Sequence, residues 1–381
     1  MPENIALYVH WPFCVSKCPY CDFNSHVRGS VDQEIWRGAL LKDLAHEAEL
    51  LPDRRISSIF FGGGTPSLMP PATVAAVIAE ADRWWGLTDD CEITLEANPN
   101  SIEVANFPVL ADAGVNRISI GVQSFDARVL QFLGRAHSGE EARRAIAAAQ
   151  EHFARVSFDL IYARPDQTMA AWEVELREAL AFGTGHLSLY QLTIEAGTRF
   201  ATLAAKGDLV IPDGDSAADL FDVTQAMTAA AGLPRYEVSN HARVGQESRH
   251  NLTYWRYGDY AGVGPGAHGR RLSQATERHK KPENFISAVE RNGHGLKVEQ
   301  DLPPHERATE AMLMGLRLTE GLDLARVEMR SGLARDAFFD AAAAARLARQ
   351  GLVTHLGDRL TVTDDGILLL DSLLSELVLT E

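Results

Sequence analysis

Three of the four cysteines in the chain, Cys14, Cys18 and Cys21, fall within eight positions in the stretch CVSKCPYCDFN, spaced C-x3-C-x2-C. Three is an odd number for disulfides and one short of the four thiolates of a closed zinc or iron–sulfur site. Thiolates at this spacing on one loop can each take a corner of a [4Fe-4S] cube, which leaves the fourth iron without a protein ligand and open to a substrate or cofactor. A zinc ion completed by His10 or His26 is the alternative. Cys91 lies far along the chain, at the start of a separate apolar run, and reads as a small buried hydrophobe.

Such side chains need a frame. Apolar runs at 6–11, 56–64, 91–99, 116–124, 156–165 and 186–195 read as strands. Between several of them apolar residues recur at three- and four-residue spacing, which predicts helices over 33–51, 71–85, 138–152 and 169–181. Strand and helix in repeated alternation imply a parallel sheet with crossover helices, barrel-like or doubly wound. Cys14, Gly63, Glu96, Gln123 and Asp159 all fall at or just after strand ends, the rim on which barrel enzymes build their sites. Beyond Gly295 the pattern changes to helices followed by a hairpin-like THLGDRLTVTDDG, a winged-helix-like module. Two domains are therefore expected, 1–294 and 295–381, the second acting as a lid or docking surface. No internal repeat of 20 to 50 residues is present.

Composition narrows the partners. The 381 residues are 46% hydrophobic, enough for a substantial core, and 36 basic against 52 acidic residues give a formal charge of −16, which argues against broad binding to nucleic acid or anionic lipid. The only short basic cluster, RHKK at 278–281, reads as a solvated loop. The first residues lack the pattern of a signal peptide, and no stretch approaches the roughly 18 apolar residues of a membrane helix. A cytoplasmic, reducing location is expected, with no membrane span and with cysteines as thiols or metal ligands.

The cysteine spacing followed by FFGGGTPS resembles the radical S-adenosylmethionine (SAM) superfamily, in which the amino and carboxylate groups of SAM chelate the open iron and an electron from the cluster cleaves SAM. YVHWPFC, GGGTPS, LEANP, GVQSF, DLIY and GVGPGAHG together resemble the anaerobic coproporphyrinogen III oxidase family more narrowly. The resemblance implies an α/β fold, an open partial (β/α)6 radical SAM barrel with a C-terminal helical, winged-helix-like domain. It implies Cys14, Cys18 and Cys21 as cluster ligands, Tyr8 and Tyr20 beside the cluster, and Gly63, Gly64 and Thr65 as the turn that meets the SAM amino group. Glu96, Gln123, Arg135 and Asp159 follow as further SAM contacts, Arg135 suiting a carboxylate through its planar fork.

Two features depart from the oxidase pattern. Phe23 stands where the oxidase carries a fourth cysteine, and only the first strand precedes Cys14 where the oxidase has an arm. Both match a haem-chaperone branch of the family, as does HNLTYW at 250–255, which makes His250 an expected haem contact on a loop, with His10, His241 and His268 as competitors. The resemblance thus implies a [4Fe-4S] cluster, SAM and haem as cofactors, and transfer of haem to an acceptor protein, a respiratory membrane enzyme among the candidates. Homodimerisation is left open. The alternatives are an authentic coproporphyrinogen oxidase, another radical SAM enzyme acting on a tetrapyrrole, and a binding protein whose cluster only stabilises the fold.

Overall fold

Alternation within the strands decides the architecture. In β1 (Ile5–Trp11), Ile5, Leu7, Val9 and Trp11 are buried in the main apolar core, while the interleaved Tyr8 and His10 bond to one another. The same period of two runs through β2 (Ile56–Gly63), β3 (Leu87–Ala97), β4 (Arg117–Gln123), β5 (Arg155–Tyr162) and β6 (His186–Gln191). Ile59, Leu95, Ile118, Phe158 and Leu187 join the apolar core, whereas Ser58, Thr94, Arg117, Ser157 and His186 are buried polar neighbours. One face is thus apolar and the other polar, although strands of parallel sheets are usually apolar on both faces.

The structure is a computed structural model that describes residues 4–379. The six strands are parallel and adjacent in chain order, with Tyr8 opposite Phe60, Thr94 opposite Arg117 and Ser157 opposite His186. The helices α1 (Gln33–Leu50), α2 (Pro71–Trp85), α3 (Phe107–Asp112), α4 (Gly139–His152) and α5 (Met169–Ala181) make the crossovers. They cover the apolar face with residues such as Leu40, Val77, Phe107, Ile146 and Leu176. This is the expected open (β/α)6 arrangement, and the polar face lines its concave side.

The chain then adds α6 (Gly214–Ala230), β7 (Arg235–Glu237), β8 (Asn240–Ala242), α7 (Arg249–Trp255), β9 (Tyr260–Val263), β10 (His268–Arg271), β11 (Gln274–Arg278) and β12 (Leu296–Asp301). The completed sheet has twelve strands in the order β12-β11-β10-β9-β1-β2-β3-β4-β5-β6-β8-β7, with β9 parallel to β1 and the outer strands antiparallel. The added strands are only three to six residues long, too short for an apolar period to announce them.

The basic run at 278–281 is corrected here. Lys280 and Lys281 are exposed, but Arg278 is fully buried at the end of β11, with Nε donating to Asp43 at 3.2 Å and Nη2 to Glu47 at 2.6 Å. Asp43 also accepts the backbone N–H groups of Gly264 and Gly295. The carboxylates come from α1, more than two hundred residues earlier, so the charge that makes burial of Arg278 tolerable is invisible locally.

A second apolar cluster, including Met312, Leu316, Phe338, Leu347, Val353, Leu360 and Leu374, follows β12. Around it lie helices Pro304–Gly315, Leu324–Ser331, Ala341–Arg349 and Leu370–Leu377 and a three-stranded sheet in which Val353–Leu356 pairs antiparallel with Arg359–Val362, the expected hairpin. Because Leu296–Asp301 is bonded into the large sheet, we place the domain boundary after Asp301 rather than at 294/295. Among the described residues no helix is long and apolar enough to cross a membrane.

Candidate functional site

The end of β2 meets the cysteine loop through a glycine turn. Gly63 takes φ +112°, the Gly64 N–H donates to the Trp11 carbonyl at 2.7 Å and the Thr65 N–H to the Phe13 carbonyl at 2.8 Å. A Cβ at Gly64 would stand 2.7 Å from the Phe13 carbonyl oxygen and 3.0 Å from Cys14 Sγ, so only glycine lets the two segments approach this closely. Behind the loop, Asn24 donates through Nδ2 to the carbonyls of Pro265 and Lys280, each at 2.9 Å, which gives the GVGPGAHG segment its role as a backing.

The three cysteines are free and half-buried. Burial pushes the Cys14 and Cys21 thiols up, so metal binding there has to displace protons. Histidine completion does not fit these positions. His10 Nε2 lies 2.9 Å from the Asn24 carbonyl, its Nδ1 faces the Tyr8 hydroxyl, and burial lowers its pKa to about 4. His26 Nε2 faces Asn24 and the Lys280 carbonyl. Among the described residues no three of His, Cys, Asp and Glu are grouped around a single-ion position, whereas in a cube each thiolate binds its own iron.

Three strands and the loop that carries Arg135 supply the opposite wall. Glu96, at the end of β3, has its pKa pushed up to about 8 by burial and then by the nearby Asp159; Asp159, on β5, is pushed up to about 6 by burial. Gln123 ends β4 at φ +67°, a left-handed conformation uncommon outside glycine. Arg135 donates from Nη1 to Cys18 Sγ at 3.5 Å and from Nη2 to the Gly121 carbonyl at 2.8 Å and to Asn98. Its Nε is buried without a hydrogen-bond partner among the described residues. A donor left over in the same cavity as two half-buried carboxyls suits a ligand that carries both a carboxylate and an ammonium, and the three thiols suit a cube, so the side chains fit both groups.

Cys14, Cys18, Cys21, Tyr20, Gly63, Gly64, Thr65, Glu96, Gln123, Arg135 and Asp159 all line one cavity of about 1330 Å³. Its far side is formed by Phe221, Val238 and Arg317 and by residues 367–372 of the C-terminal part. Val15, Phe23, Ile102, Leu368 and Leu369 also line it and are exposed.

Tyr8 and His250 stand elsewhere. The Tyr8 ring stacks on Phe60 and lies tilted 6.2 Å from the His250 ring, and neither residue lines the cavity. His250 belongs to α7 and not to a loop, and only 1% of it is exposed. Its ring stacks on Phe60 at 4.8 Å, Nδ1 is 3.2 Å from Ser58 Oγ, and Nε2 is bonded to the Tyr254 hydroxyl. Burial lowers its pKa to about 3. The backbone N–H groups of Arg249 and His250 donate to the Glu92 carboxylate at 3.2 Å, and Glu92 pairs with Arg155 at 2.6 Å. Ser58, Arg117, Arg155 and His186 mark the strand starts, so α7 closes the barrel at the end opposite the cysteines. The i to i+4 spacing of His250 and Tyr254 puts both on the face that fills this end.

Asn98 is the residue that sequence reasoning missed. Its signal was its place in LEANP, directly after the strand that ends in Glu96-Ala97.

Residues 8–179 match the Radical SAM superfamily and residues 302–369 the HemN C-terminal domain. The chain is 38% identical to the heme chaperone HemW of Escherichia coli over 99% of this chain and 98% of that one. It is 39% identical to the mitochondrial radical S-adenosyl methionine domain-containing protein 1 of Bos taurus over 99% of this chain and 88% of that one. Among solved structures, the coproporphyrinogen III oxidase HemN of Escherichia coli superposes with a TM-score of 0.80 at 23% identity, covering 98% of this chain and 89% of that one, which speaks to the fold. Full-length likeness at this identity, together with a barrel and a C-terminal module of the same kinds, assigns the chain to the radical SAM superfamily, in its coproporphyrinogen oxidase-like HemW family.

Proposed function

We propose that this protein is a haem chaperone: it holds a [4Fe-4S] cluster on Cys14, Cys18 and Cys21 with SAM beside it, binds haem, and passes the haem to an acceptor protein. The observation that carries the reading is the cavity. At about 1330 Å³ it exceeds the about 300–1,000 Å³ of a usual small-molecule site, leaving room beyond one cofactor. Exposed Val15, Phe23, Ile102, Leu368 and Leu369 along its walls suit the apolar faces of a flat macrocycle. The name carried by the Escherichia coli relative agrees.

When bound, the cluster with SAM supplies one-electron chemistry, and this chain's residues divide the work around it. The thiols hold iron, Gly63 and Gly64 let the backbone come close, Arg135 and Thr65 bond to cysteine sulfurs, and Glu96 and Asp159 offer acceptors to an ammonium or hydroxyl. Coupling haem release to SAM or to the cluster requires each ligand to distinguish two states of the protein. His250 remains proposed as a haem contact in a second state, one in which α7 has left the closed end of the barrel.

Anaerobically reconstituted full-length protein tests the reading. Titration with haem is expected to give saturable binding, and incubation with SAM, reductant and coproporphyrinogen is expected to give no vinyl product. Decarboxylation at about 1 per second or faster would replace the chaperone by an enzyme.

A further inference from the structure

We infer that Asn98 is the positioning residue that joins the hydrogen bonds on Cys14 and Cys18 into one chain and so sets the reduction potential of the cluster. The inference rests on those cysteines being cluster ligands. Asn98 Nδ2 donates to Thr65 Oγ1 at 3.2 Å, and the Thr65 hydroxyl donates to Cys14 Sγ at 3.4 Å. At the other end of the amide, Oδ1 accepts from Arg135 Nη2, and Arg135 Nη1 donates to Cys18 Sγ at 3.5 Å. Every link has a defined direction. A guanidinium can only donate, so the amide oxygen must face Arg135 and the amide nitrogen must face Thr65. With its oxygen already receiving a proton from Asn98, Thr65 keeps its own hydroxyl proton for the sulfur.

The amide is held from behind. Glu103, 1% exposed, accepts the Asn98 backbone N–H at 2.7 Å and lies 3.4 Å from Asn98 Nδ2, and it is itself bonded by Ser67 and Asn100. Asparagine has the requirements of this position in one short side chain, a donor at one end and an acceptor at the other; aspartate has no donor and alanine neither. Hydrogen bonds to cluster sulfurs and the groups that orient the ligands are the means by which a protein tunes such a centre. Because they offset negative charge on the sulfurs, they favour the reduced form.

The test uses full-length, anaerobically reconstituted protein, with iron content and a midpoint potential followed by electron paramagnetic resonance. Asn98→Ala is expected to load four irons and shift the potential downward by at least about 59 mV, a tenfold change in a one-electron equilibrium. Thr65→Val should shift it in the same direction, and the double variant should fall short of the sum of the two, because both break one chain. Asn98→Asp keeps the acceptor for Arg135 and loses the donor to Thr65, and it too should load and shift downward. Because its charge alone also lowers the potential, it decides the matter, where Asn98→Ala loads poorly, by comparison with the Thr65→Val background, in which a broken chain gives a smaller shift than in the wild type and a pure charge effect an equal one. An unchanged potential in a fully loaded Asn98 variant overturns the inference, as does failure of both Asn98 variants to load iron, which would make Asn98 a folding residue. A wild type that takes up no cluster at all would instead remove the underlying ligand assignment.

Discussion

At the scale of single residues, the site combines close backbone approach with buried charge, and each can be changed separately. Gly64→Ala puts a methyl group within 3.0 Å of Cys14 Sγ and nearer still to a carbonyl oxygen, and a backbone carbonyl cannot swing aside. The variant is expected to fold by circular dichroism yet retain less than half of the wild-type iron; full iron would show that the loop tolerates displacement. Asp159 works in the other direction. Its folded pKa of about 6 lies above the usual 3.8, so the folded chain binds the proton more tightly than the unfolded one, and stability falls as pH rises from about 4 to above 6. Asp159→Asn removes that cost and should stabilise the ligand-free protein at pH 7.5 by about 1–3 kcal/mol. The same change should weaken SAM binding at least tenfold with iron content unchanged. A variant that is less stable at pH 7.5 and unaffected in SAM affinity would contradict both halves.

At the scale of elements, α7 is a stopper tied down by its own N-terminus. Two backbone N–H groups of its first turn share the Glu92 carboxylate, which also carries the charge of Arg155. Replacing Glu92 by Ala leaves that arginine uncompensated and frees the helix, at an expected cost of about 3–5 kcal/mol in urea unfolding. The cysteine cavity lies at the other end of the barrel, so iron loading of the folded variant should stay near wild type. If α7 must leave before His250 can reach haem, loosening it should also raise the rate of haem uptake in stopped-flow mixing. Slower or unchanged uptake would separate His250 from haem binding. The sequence HNLTYW shows an imidazole beside aromatic rings, and that much is correct. Which end of the barrel it fills depends on Ser58, Phe60 and Glu92, none of which is near it in the chain.

At the scale of the whole molecule, the cavity exists because the C-terminal part lies over the rim of the barrel. Leu368 and Leu369 are 45% and 47% exposed while lining the cavity, so charging them should not disturb the core. The double variant Leu368→Glu/Leu369→Glu is expected to lower haem affinity about tenfold or more, the scale of losing one or two apolar contacts, with SAM affinity and thermal midpoint unchanged. Equal loss of SAM affinity would mean that this segment shapes the cofactor side instead.

Local sequence determined what depends on short-range period and spacing: six strands from alternating apolar runs, four of the five crossover helices from a period of 3.6 (the six-residue α3 is too short to show one), three thiols from C-x3-C-x2-C, and the hairpin at the C-terminal end. Those features need no knowledge of distant residues. The tertiary structure alone decided what depends on partners far apart in the chain. Arg278, read as solvated, is buried because Asp43 and Glu47 wait for it on α1. His250 is sealed because α7 docks on the strand starts, Asn98 becomes a bridge because Thr65 and Arg135 converge on it, and the outer strands of the sheet form because β1 and β6 offer unpaired edges. A buried charge or an edge strand is stabilised by groups that only folding brings near, and no local pattern records them.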